Sequence, residues 1–189
     1  MTDGTVIFIN GTSSSGKTAI VHALQNLLVE PYLEAGIDKF IFMMPERYLD
    51  RPLWDDVLGL ADKAGDAGHD LVHGMHRAVA ELSRAGCNVV ADHVVVEAAW
   101  ARDLMKQFAD LPVYLVGIQC PLGVLEERER SRKNRTLGQA KLQFPVIHQY
   151  CRYDLEVDTS NLSPEECALH IKERLSKPPQ ALKQMRQML

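Results

Sequence analysis

The chain has 189 residues, of which 46% are hydrophobic and 24% charged, a composition that suits one globular domain with a sizeable core. The formal net charge is -4, so no general basic field is available to bind a nucleic-acid backbone. The four cysteines lie far apart without a C-x-x-C pair, which fits small buried side chains in a reducing cytoplasm. Residues 1–4 lack the features of an export signal, and no apolar run approaches the ~20 residues that cross a bilayer. We therefore expect a cytoplasmic protein without a nucleic-acid or membrane partner.

Short β-branched runs alternate with longer segments of helical period, which is typical of a parallel sheet covered by helices on both faces. In chain order, the predicted strands lie at residues 5–10, within 33–42, and at 87–91, 113–119 and 155–158. The predicted helices lie between them, at about residues 16–29, 70–84 and 97–108, and from Leu122 and Ser163 onward. The sequence therefore predicts a five-stranded, mainly parallel α/β sandwich.

Three stretches depart from this alternation. Residues 51–69 combine glycine, aspartate and proline with weak periodicity, so we expect an irregular excursion there. Residues 128–138 are rich in arginine, and residues 178–189 begin with a Pro-Pro pair and predict a short tail. The rest of residues 1–177 is expected to form one domain.

The first strand ends at Asn10 and is followed by GTSSSGKT, which fits the Walker A pattern G-x-x-x-x-G-K-S/T. A strand before the loop and an amphipathic helix after it separate this motif from an ordinary glycine-rich turn. Small residues let backbone N–H groups converge on one anion, and the helix directs the positive end of its dipole there. The loop residues predicted to bind a nucleotide are Gly11, Thr12, Ser13, Ser14, Ser15, Gly16, Lys17 and Thr18.

Two residues of the loop indicate what it binds. The mobile positive charge of Lys17 suits the β- and γ-phosphates of ATP, and the hydroxyl of Thr18 suits Mg²⁺. Asp92 follows a buried strand, as a Walker B aspartate does, which makes it the candidate carboxylate on the magnesium side. The alternative for Asp92 is a helix N-cap.

A phosphoryl transfer also needs a group that accepts the proton of the acceptor hydroxyl. Asp38 lies just past the second strand, at the sheet edge that carries the loop, so it could take that proton. A capping role for Asp38 fits the spacing equally well. His93 is a second candidate base, although a lone histidine at a strand end is more often a packed structural residue.

Charged residues are concentrated in ERERSRKNR, residues 127–135. The glutamates between the arginines indicate a solvated helix face with i,i+4 ion pairs. The functional alternative is a lid, because guanidinium groups bind phosphate oxygens in two-pronged fashion and stay charged. Arg132 and Arg135 lie nearest the end of the predicted helix and are therefore the candidate lid residues.

Four segments together resemble the chloramphenicol phosphotransferases, a family of antibiotic O-kinases with an adenylate-kinase-like P-loop fold. They are NGTSSSGKT, EPYLEAGIDKFIFMMP, AGCNVVAD, and the region from Cys120 through RERSRKNR and His148 to YDLEVDTS. The resemblance covers most of the chain and implies a three-layer sandwich with an arginine-rich lid. It also implies an ATP site at residues 11–18, a catalytic base at Asp38, and lid arginines at Arg132 and Arg135.

The sequence departs from the family pattern in three places. Asp92-His93 stands where paired aspartates are expected, and Lys39 stands where a small residue is expected. Residues 48–74, which should help to form the acceptor pocket, match poorly. The resemblance therefore extends better to the phosphoryl-transfer residues than to the acceptor.

Three functions fit these observations. The first is an ATP- and Mg²⁺-dependent kinase that phosphorylates a small-molecule hydroxyl such as that of chloramphenicol. The second keeps this chemistry, with a nucleoside or a sugar-like metabolite as the acceptor. The third is a nucleotide-dependent switch or binding module. Against this third function stand a base-like Asp38 and a sequence without the guanine-reading element N-K-x-D.

Overall fold

The computed structural model describes residues 2–45, 65–131 and 137–187, and these residues form the α/β fold that the sequence predicts. Within them, five parallel strands form one sheet in the order β2-β3-β1-β4-β5. The strands are β1 (Val6–Asn10), β2 (Tyr32–Glu34), β3 (Asn88–His93), β4 (Val113–Gln119) and β5 (Leu155–Asp158). The described helices are α1 (Lys17–Leu27), α2 (Ile37–Ile41), α3 (Gly65–Arg84), α4 (Ala98–Gln107), α5 (Leu122–Ser131), α6 (Gln139–Gln143), α7 (Pro164–Arg174) and α8 (Ala181–Arg186).

The central strand β1 is buried along its whole length because helices cover both faces of the sheet. Its alternate side chains enter two separate cores. Val6 and Phe8 pack in the core formed with α3, α4 and α8. Ile7 and Ile9 pack in the core formed with α1 and α7. The arrangement is therefore a three-layer sandwich, with β1 delivering the Walker A loop to the middle of the sheet's C-terminal edge.

The observed boundaries differ from the predicted ones in two places that matter for the site. β3 continues to His93, so Asp92 lies inside the strand, whereas the sequence predicted that the strand ends before it. α3 begins at Gly65. Residues 65–69 of the predicted irregular excursion are therefore helical, and residues 51–64 lie outside the described residues. Packing of Val72 and Met75 in the core favours the helix despite the glycines near its start.

The C-terminal segment, set apart in the sequence as a tail over residues 178–189, contributes a helix to the core. Ala181, Leu182 and Met185 of α8 are buried against the sheet. The carboxylate of Asp154 fixes the start of this helix, because its Oδ1 accepts hydrogen bonds from the N–H groups of Gln180 (2.6 Å) and Ala181 (3.2 Å). Most of the segment is thus part of the folded unit.

Three of the four cysteines and Trp100 lie in the core, whereas Cys87 is partly exposed. All four cysteines are free thiols, and Cys120, Cys151 and Cys167 are buried. Trp100 is fully buried between α4 and the sheet. None of the helices in the described part of the chain combines the length and apolarity that crossing a membrane requires.

Candidate active site

Residues 11–18 form a wrapped loop between β1 and α1. The loop enters the left-handed backbone region at Ser14 (φ 62°) and at Gly16 (φ 91°), and the N–H of Ser15 donates to Thr12 O over 3.3 Å. Among the described residues no side chain caps α1, and its first turn holds no acidic residue. The positive end of the helix dipole therefore faces the loop without a competing carboxylate from that turn.

Side chains from distant parts of the chain hold this loop in place. Gln143 Oε1 accepts a hydrogen bond of 2.6 Å from the N–H of Ser13. Thr159 Oγ1 donates to the carbonyl of Ser15 over 2.9 Å. Because a left-handed conformation at a residue other than glycine costs about 1–2 kcal/mol, these bonds help to maintain the backbone at Ser14.

Asn10, the last residue of β1, is buried and forms hydrogen bonds through both ends of its side-chain amide. The side chain is 1% exposed, and its Nδ2 donates to the carbonyl of Ile147 and to the hydroxyl of Tyr153, both over 2.8 Å. Its Oδ1 accepts from the N–H of Val95, also over 2.8 Å. An apolar residue would leave these partners unsatisfied, so the polar residue fixes the strand end against two neighbouring segments.

The side chain of Lys17 folds back into the loop formed by residues 11–18. Its side chain is 8% exposed, and its Nζ donates to the carbonyls of Gly11 (2.8 Å) and Thr12 (2.7 Å). A positive charge is therefore held within the loop, at the start of α1. From there it can reach an anion that binds to the loop amides.

Asp38 and Asp92 lie at the same cavity as the loop. This cavity, of about 30 Å³, is lined by residues 13–18 together with Ile37, Asp38, Asp92 and Val94. Gly36 explains how the two carboxylates come together, because a Cβ atom on it would lie 1.6 Å from Oδ1 of Asp92. The absence of a side chain at Gly36 lets the turn before α2 press against β3, and Asp38 follows two residues later.

Neither aspartate caps a helix, which was the alternative role that the sequence allowed for Asp38 and for Asp92. Gly36 occupies the N-cap of α2, so Asp38 lies in the first turn rather than at the cap. Glu97 occupies the N-cap of α4, the helix that follows β3, so Asp92 does not cap it. Lys39, which departs from the family pattern, is exposed and pairs with Glu34 at 3.1 Å.

The charge of Asp92 is sensitive to its surroundings. Burial raises the pKa of Asp92 above its usual value, and the positive charge of Lys17 acts in the opposite direction. The carboxylates of Asp38 and Glu34 add to the increase. A cation at this cavity would therefore favour the ionised form of Asp92.

His93 belongs to a buried chain of hydrogen bonds on the opposite face of β3. The N–H of Val94 donates to His93 Nδ1 over 2.7 Å, so the proton of the neutral ring is on Nε2. That Nε2–H donates to His76 Nε2 (2.9 Å), and His76 Nδ1–H donates to Asp103 Oδ2 (2.8 Å). Both nitrogens of His93 are thus used within the core, and the ring does not line the cavity of Asp38 and Asp92.

Because of the hydrogen bonds from His93 through His76 to Asp103, we expect the protein to lose stability at acidic pH. Burial lowers the pKa of both His76 and His93, and protonation of either ring would remove an acceptor from the chain. Below the ordinary histidine pKa of 6.5 the unfolded chain binds protons that the folded protein excludes. The free energy of unfolding should therefore fall as pH decreases below that value, and the fall should level off once pH passes below the lower pKa values of the folded state.

Urea unfolding at several pH values between neutral and mildly acidic would test this expectation. His76→Gln can keep both hydrogen bonds of His76 but cannot be protonated, so it should make the pH dependence less steep. The exposed His170 provides the control, and His170→Gln should leave the slope unchanged. Equal slopes in the wild type and in His76→Gln would contradict the prediction.

A second cavity, of about 320 Å³, lies beside the loop on the side of β5. Arg128 forms one wall, where its guanidinium donates to Thr159 Oγ1 (3.1 Å) and to Thr159 O (2.7 Å). Ser14 and Gly16 line both cavities, and Ile20 and Leu162 add apolar surface to the second one. Its size lies in the range of small-molecule sites. From the sequence, Arg128 was only one of several arginines in the charged stretch. Its contact with Thr159 could not be predicted, because the two residues are 31 positions apart.

The two predicted lid arginines, Arg132 and Arg135, lie outside the described residues, as do all of residues 132–136 of the predicted 128–138 lid. The part that is described, at residues 128–131 and 137–138, lies at the ends of this stretch. Glu129, which is 2% exposed, accepts hydrogen bonds from the N–H groups of Gly138 (2.7 Å) and Ala140 (3.1 Å). This carboxylate joins α5 to the start of α6.

Comparison with known proteins extends over nearly the whole chain. The family model described as chloramphenicol phosphotransferase-like protein matches residues 4–176. Proteins of two Mycobacterium tuberculosis strains, CDC 1551 and H37Rv, are provisionally named O-phosphotransferases. Each is 32% identical to this chain over 186 residues, which covers 92% of this chain and 83% of the relative.

Solved structures share the fold at lower sequence identity. The APS kinase CysC of Mycobacterium tuberculosis, in complex with AMPPNP and APS, has a TM-score of 0.68 at 16% identity over 94% of this chain and 100% of its own. A gluconokinase of Sinorhizobium meliloti 1021 has a TM-score of 0.61 at 16% identity over 93% of this chain and 94% of its own. A shikimate kinase of Acinetobacter baumannii, in complex with shikimate, has a TM-score of 0.56 at 15% identity over 91% and 92%. The predicted P-loop kinase fold is confirmed.

Proposed function

Because the chain belongs to the chloramphenicol phosphotransferase-like family, we propose that it transfers the γ-phosphate of ATP, in the presence of Mg²⁺, to a hydroxyl of a small molecule. Family and fold identify a phosphotransferase built as a P-loop kinase, as the sequence motifs predicted. The proposal concerns its donor, its metal, its acceptor and the residues that act on them.

The observation that carries the proposal is that Asp38, Asp92 and the phosphate loop line one cavity. A polyphosphate held by the amides of residues 14–18 would have its far end beside two carboxylates. The nucleoside fits the second cavity, against Arg128, Thr159 and Ile20, because that cavity meets the loop at Ser14 and Gly16. With the nucleotide bound in this orientation, the transferred phosphoryl group would lie on the side of Asp38.

The residues present also fit Mg²⁺. Thr18 and Asp92 line the same cavity and offer oxygen ligands, the type that this cation prefers. No cluster of three or more acidic, histidine or cysteine ligands occurs within the described residues. This agrees with a cation that takes most of its ligands from phosphate and water. When bound, the cation would supply positive charge to the phosphate oxygens.

In the proposed reaction Asp38 accepts the proton of the acceptor hydroxyl as its oxygen bonds to the γ-phosphorus. The bond between that phosphorus and the oxygen that bridges to the β-phosphate breaks, and ADP leaves with the electron pair. Lys17 offsets the negative charge at the breaking bond. We propose Arg132 and Arg135 as further cations over the phosphates, and the cytoplasm, which supplies ATP and suits four free thiols, as the location.

Incubation with MgATP and a panel of hydroxyl compounds tests the function. The panel contains chloramphenicol, which the family suggests, together with a nucleoside and a sugar. We expect one compound to gain a single phosphoryl group by mass spectrometry, with ADP formed in equal amount. The same compound with its hydroxyl acetylated serves as the control and should give no product. ADP release that no acceptor changes would contradict the proposal and favour a nucleotide-dependent switch.

A further inference from the structure

A third cavity, of about 280 Å³, lies at the edge of the sheet opposite to the phosphate loop. Its walls come from the end of α4, the turn that leads into β4, and α8. One lining residue, Val113, is the first residue of β4 and pairs in register with Val6, the first residue of β1. Because β1 carries the loop at its other end, the length of the sheet separates this cavity from the nucleotide site.

The floor of this cavity is apolar. It is formed by Phe108, Leu111, Val113 and Leu182, each of which is at most 9% exposed. All four pack in the core beneath α4 and α8, so their positions are already fixed by the fold. A concave apolar surface of this kind favours the hydrocarbon part of a ligand over water.

Two cations, Lys183 and Arg186, stand at the exposed rim of the cavity. Arg186 Nη2 donates to the carbonyl of Met105 over 3.0 Å, which leaves the other N–H donors of the guanidinium available. Neither cation forms an ion pair with any of the described residues. Asp110, which is next in sequence to two lining residues, pairs with neither of them.

Positive charge is concentrated in this part of an otherwise acidic chain. Residues 177–189 contain Lys177, Lys183 and Arg186 and no acidic residue, whereas the whole chain has a net charge of -4. The charge at the rim is therefore complementary to an anion, and the floor is complementary to an apolar group. A ligand that satisfies both has an acidic head and a hydrocarbon body.

We propose that this cavity binds a small carboxylate with an apolar body. The hydrocarbon lies against Phe108, Val113 and Leu182, and the carboxylate accepts hydrogen bonds from Lys183 and Arg186. The cavity is slightly smaller than the about 300 Å³ at which small-molecule sites begin, so the ligand is a short one. α8 lies beyond residue 176, where the match to the family ends, and the site is independent of the proposed transfer reaction.

Titration of isotope-labelled protein with sodium octanoate, followed through backbone amide chemical shifts, tests the site. Octanol and octylammonium chloride have the same chain with a neutral or a positive head, and they serve as matched ligands. We expect saturable shifts at the residues that line the cavity. Octanoate should bind most tightly and octylammonium most weakly, because only the head group differs.

Variants separate the roles of charge and shape. Lys183→Gln and Arg186→Gln should each weaken octanoate binding by about twofold to fivefold, the range for exposed charge pairs, and leave octanol binding unchanged. Arg102→Gln removes an exposed cation of α4 that does not line the cavity, and it should change neither affinity. Ala109→Phe adds a ring at an exposed part of the wall and should weaken the binding of both ligands.

A wild-type protein without saturable shifts at these residues would overturn the site. Octanol that binds as tightly as octanoate, or an unchanged preference for octanoate in both cation variants, would overturn the role of the two cations. Arg186→Gln loses the hydrogen bond to Met105 and could fold poorly. In that case Lys183→Gln decides, because the Lys183 side chain makes no hydrogen bond to the described residues.

Discussion

Replacing Asp38 by asparagine is expected to lower kcat by about 10²-fold to 10⁴-fold while ADP still binds. The amide has nearly the size of the carboxylate but cannot take the proton of the acceptor hydroxyl. Asp38 lies in the first turn of α2, outside residues 11–18, and contributes negative charge near Asp92, so we expect the variant to retain nucleotide binding and to reduce the repulsion between the two side chains. Steady-state kinetics with the acceptor that the panel identifies, together with ADP titration, measures both effects.

Asp110 provides a matched control for this substitution. It is exposed in the turn before β4, at the edge of the sheet opposite to the loop. Asp110→Asn should therefore keep the wild-type kcat. If Asp38→Asn also kept it, the carboxylate would not be the base. If Asp38→Asn lost ADP binding as well, its role would be to support the fold of this edge.

Replacing Lys17 by methionine is expected to lower kcat/KM by about 10²-fold to 10³-fold, the usual effect of removing one electrostatic group from a transition state. The substitution removes a positive charge from a cavity that contains the carboxylates of Asp38 and Asp92. Negative charge on the phosphates would then meet these carboxylates without the offset that Lys17 supplies. Loss of Lys17 should also raise the pKa of Asp92 further, since this charge now opposes the increase.

The measurement is kcat/KM for the nucleotide as a function of pH. Lys106→Met is the matched control, because Lys106 is an exposed lysine on α4 that does not line the cavity. This control should retain the wild-type rate and pH profile. A Lys17→Met variant with wild-type kcat/KM would contradict the assignment of the loop as the phosphate site.

The position of the loop at residues 11–16 and the strand and helix on either side of it could be predicted because their signals are local. An apolar strand, small residues and an amphipathic helix follow one another within residues 5–29, and the spacing of glycine and lysine determines the shape of the loop. The predicted limits of the strands at residues 113–119 and 155–158 agree with β4 and β5. The capping box at Ser163 and Glu166 also forms as its sequence suggests.

The partners of polar core residues could not be predicted, because they lie far apart in the sequence. Gln143 and Ser13 are separated by 130 positions, and Arg128 and Thr159 by 31. The same is true of the chain from His93 to Asp103 through His76. A polar residue within an apolar run, such as Asn10 or His93, is a signal that a partner exists, but it does not identify that partner.

By itself, the sequence determined the class of fold, the position of the loop between β1 and α1, and the family, since each depends on short-range order along the chain. Only the tertiary structure shows that the backbone at Gly36 packs closely against Asp92, with Asp38 two residues later. It also shows that His93 faces the core and that Gln143 forms a hydrogen bond with the loop at Ser13. The approach of Gly36 to Asp92 depends on the strand order β2-β3-β1, which places the ends of these three strands side by side. Hydrogen bonds and steric contacts act over only a few ångströms. Which distant residues meet at the candidate site therefore depends on how the helices and strands pack together.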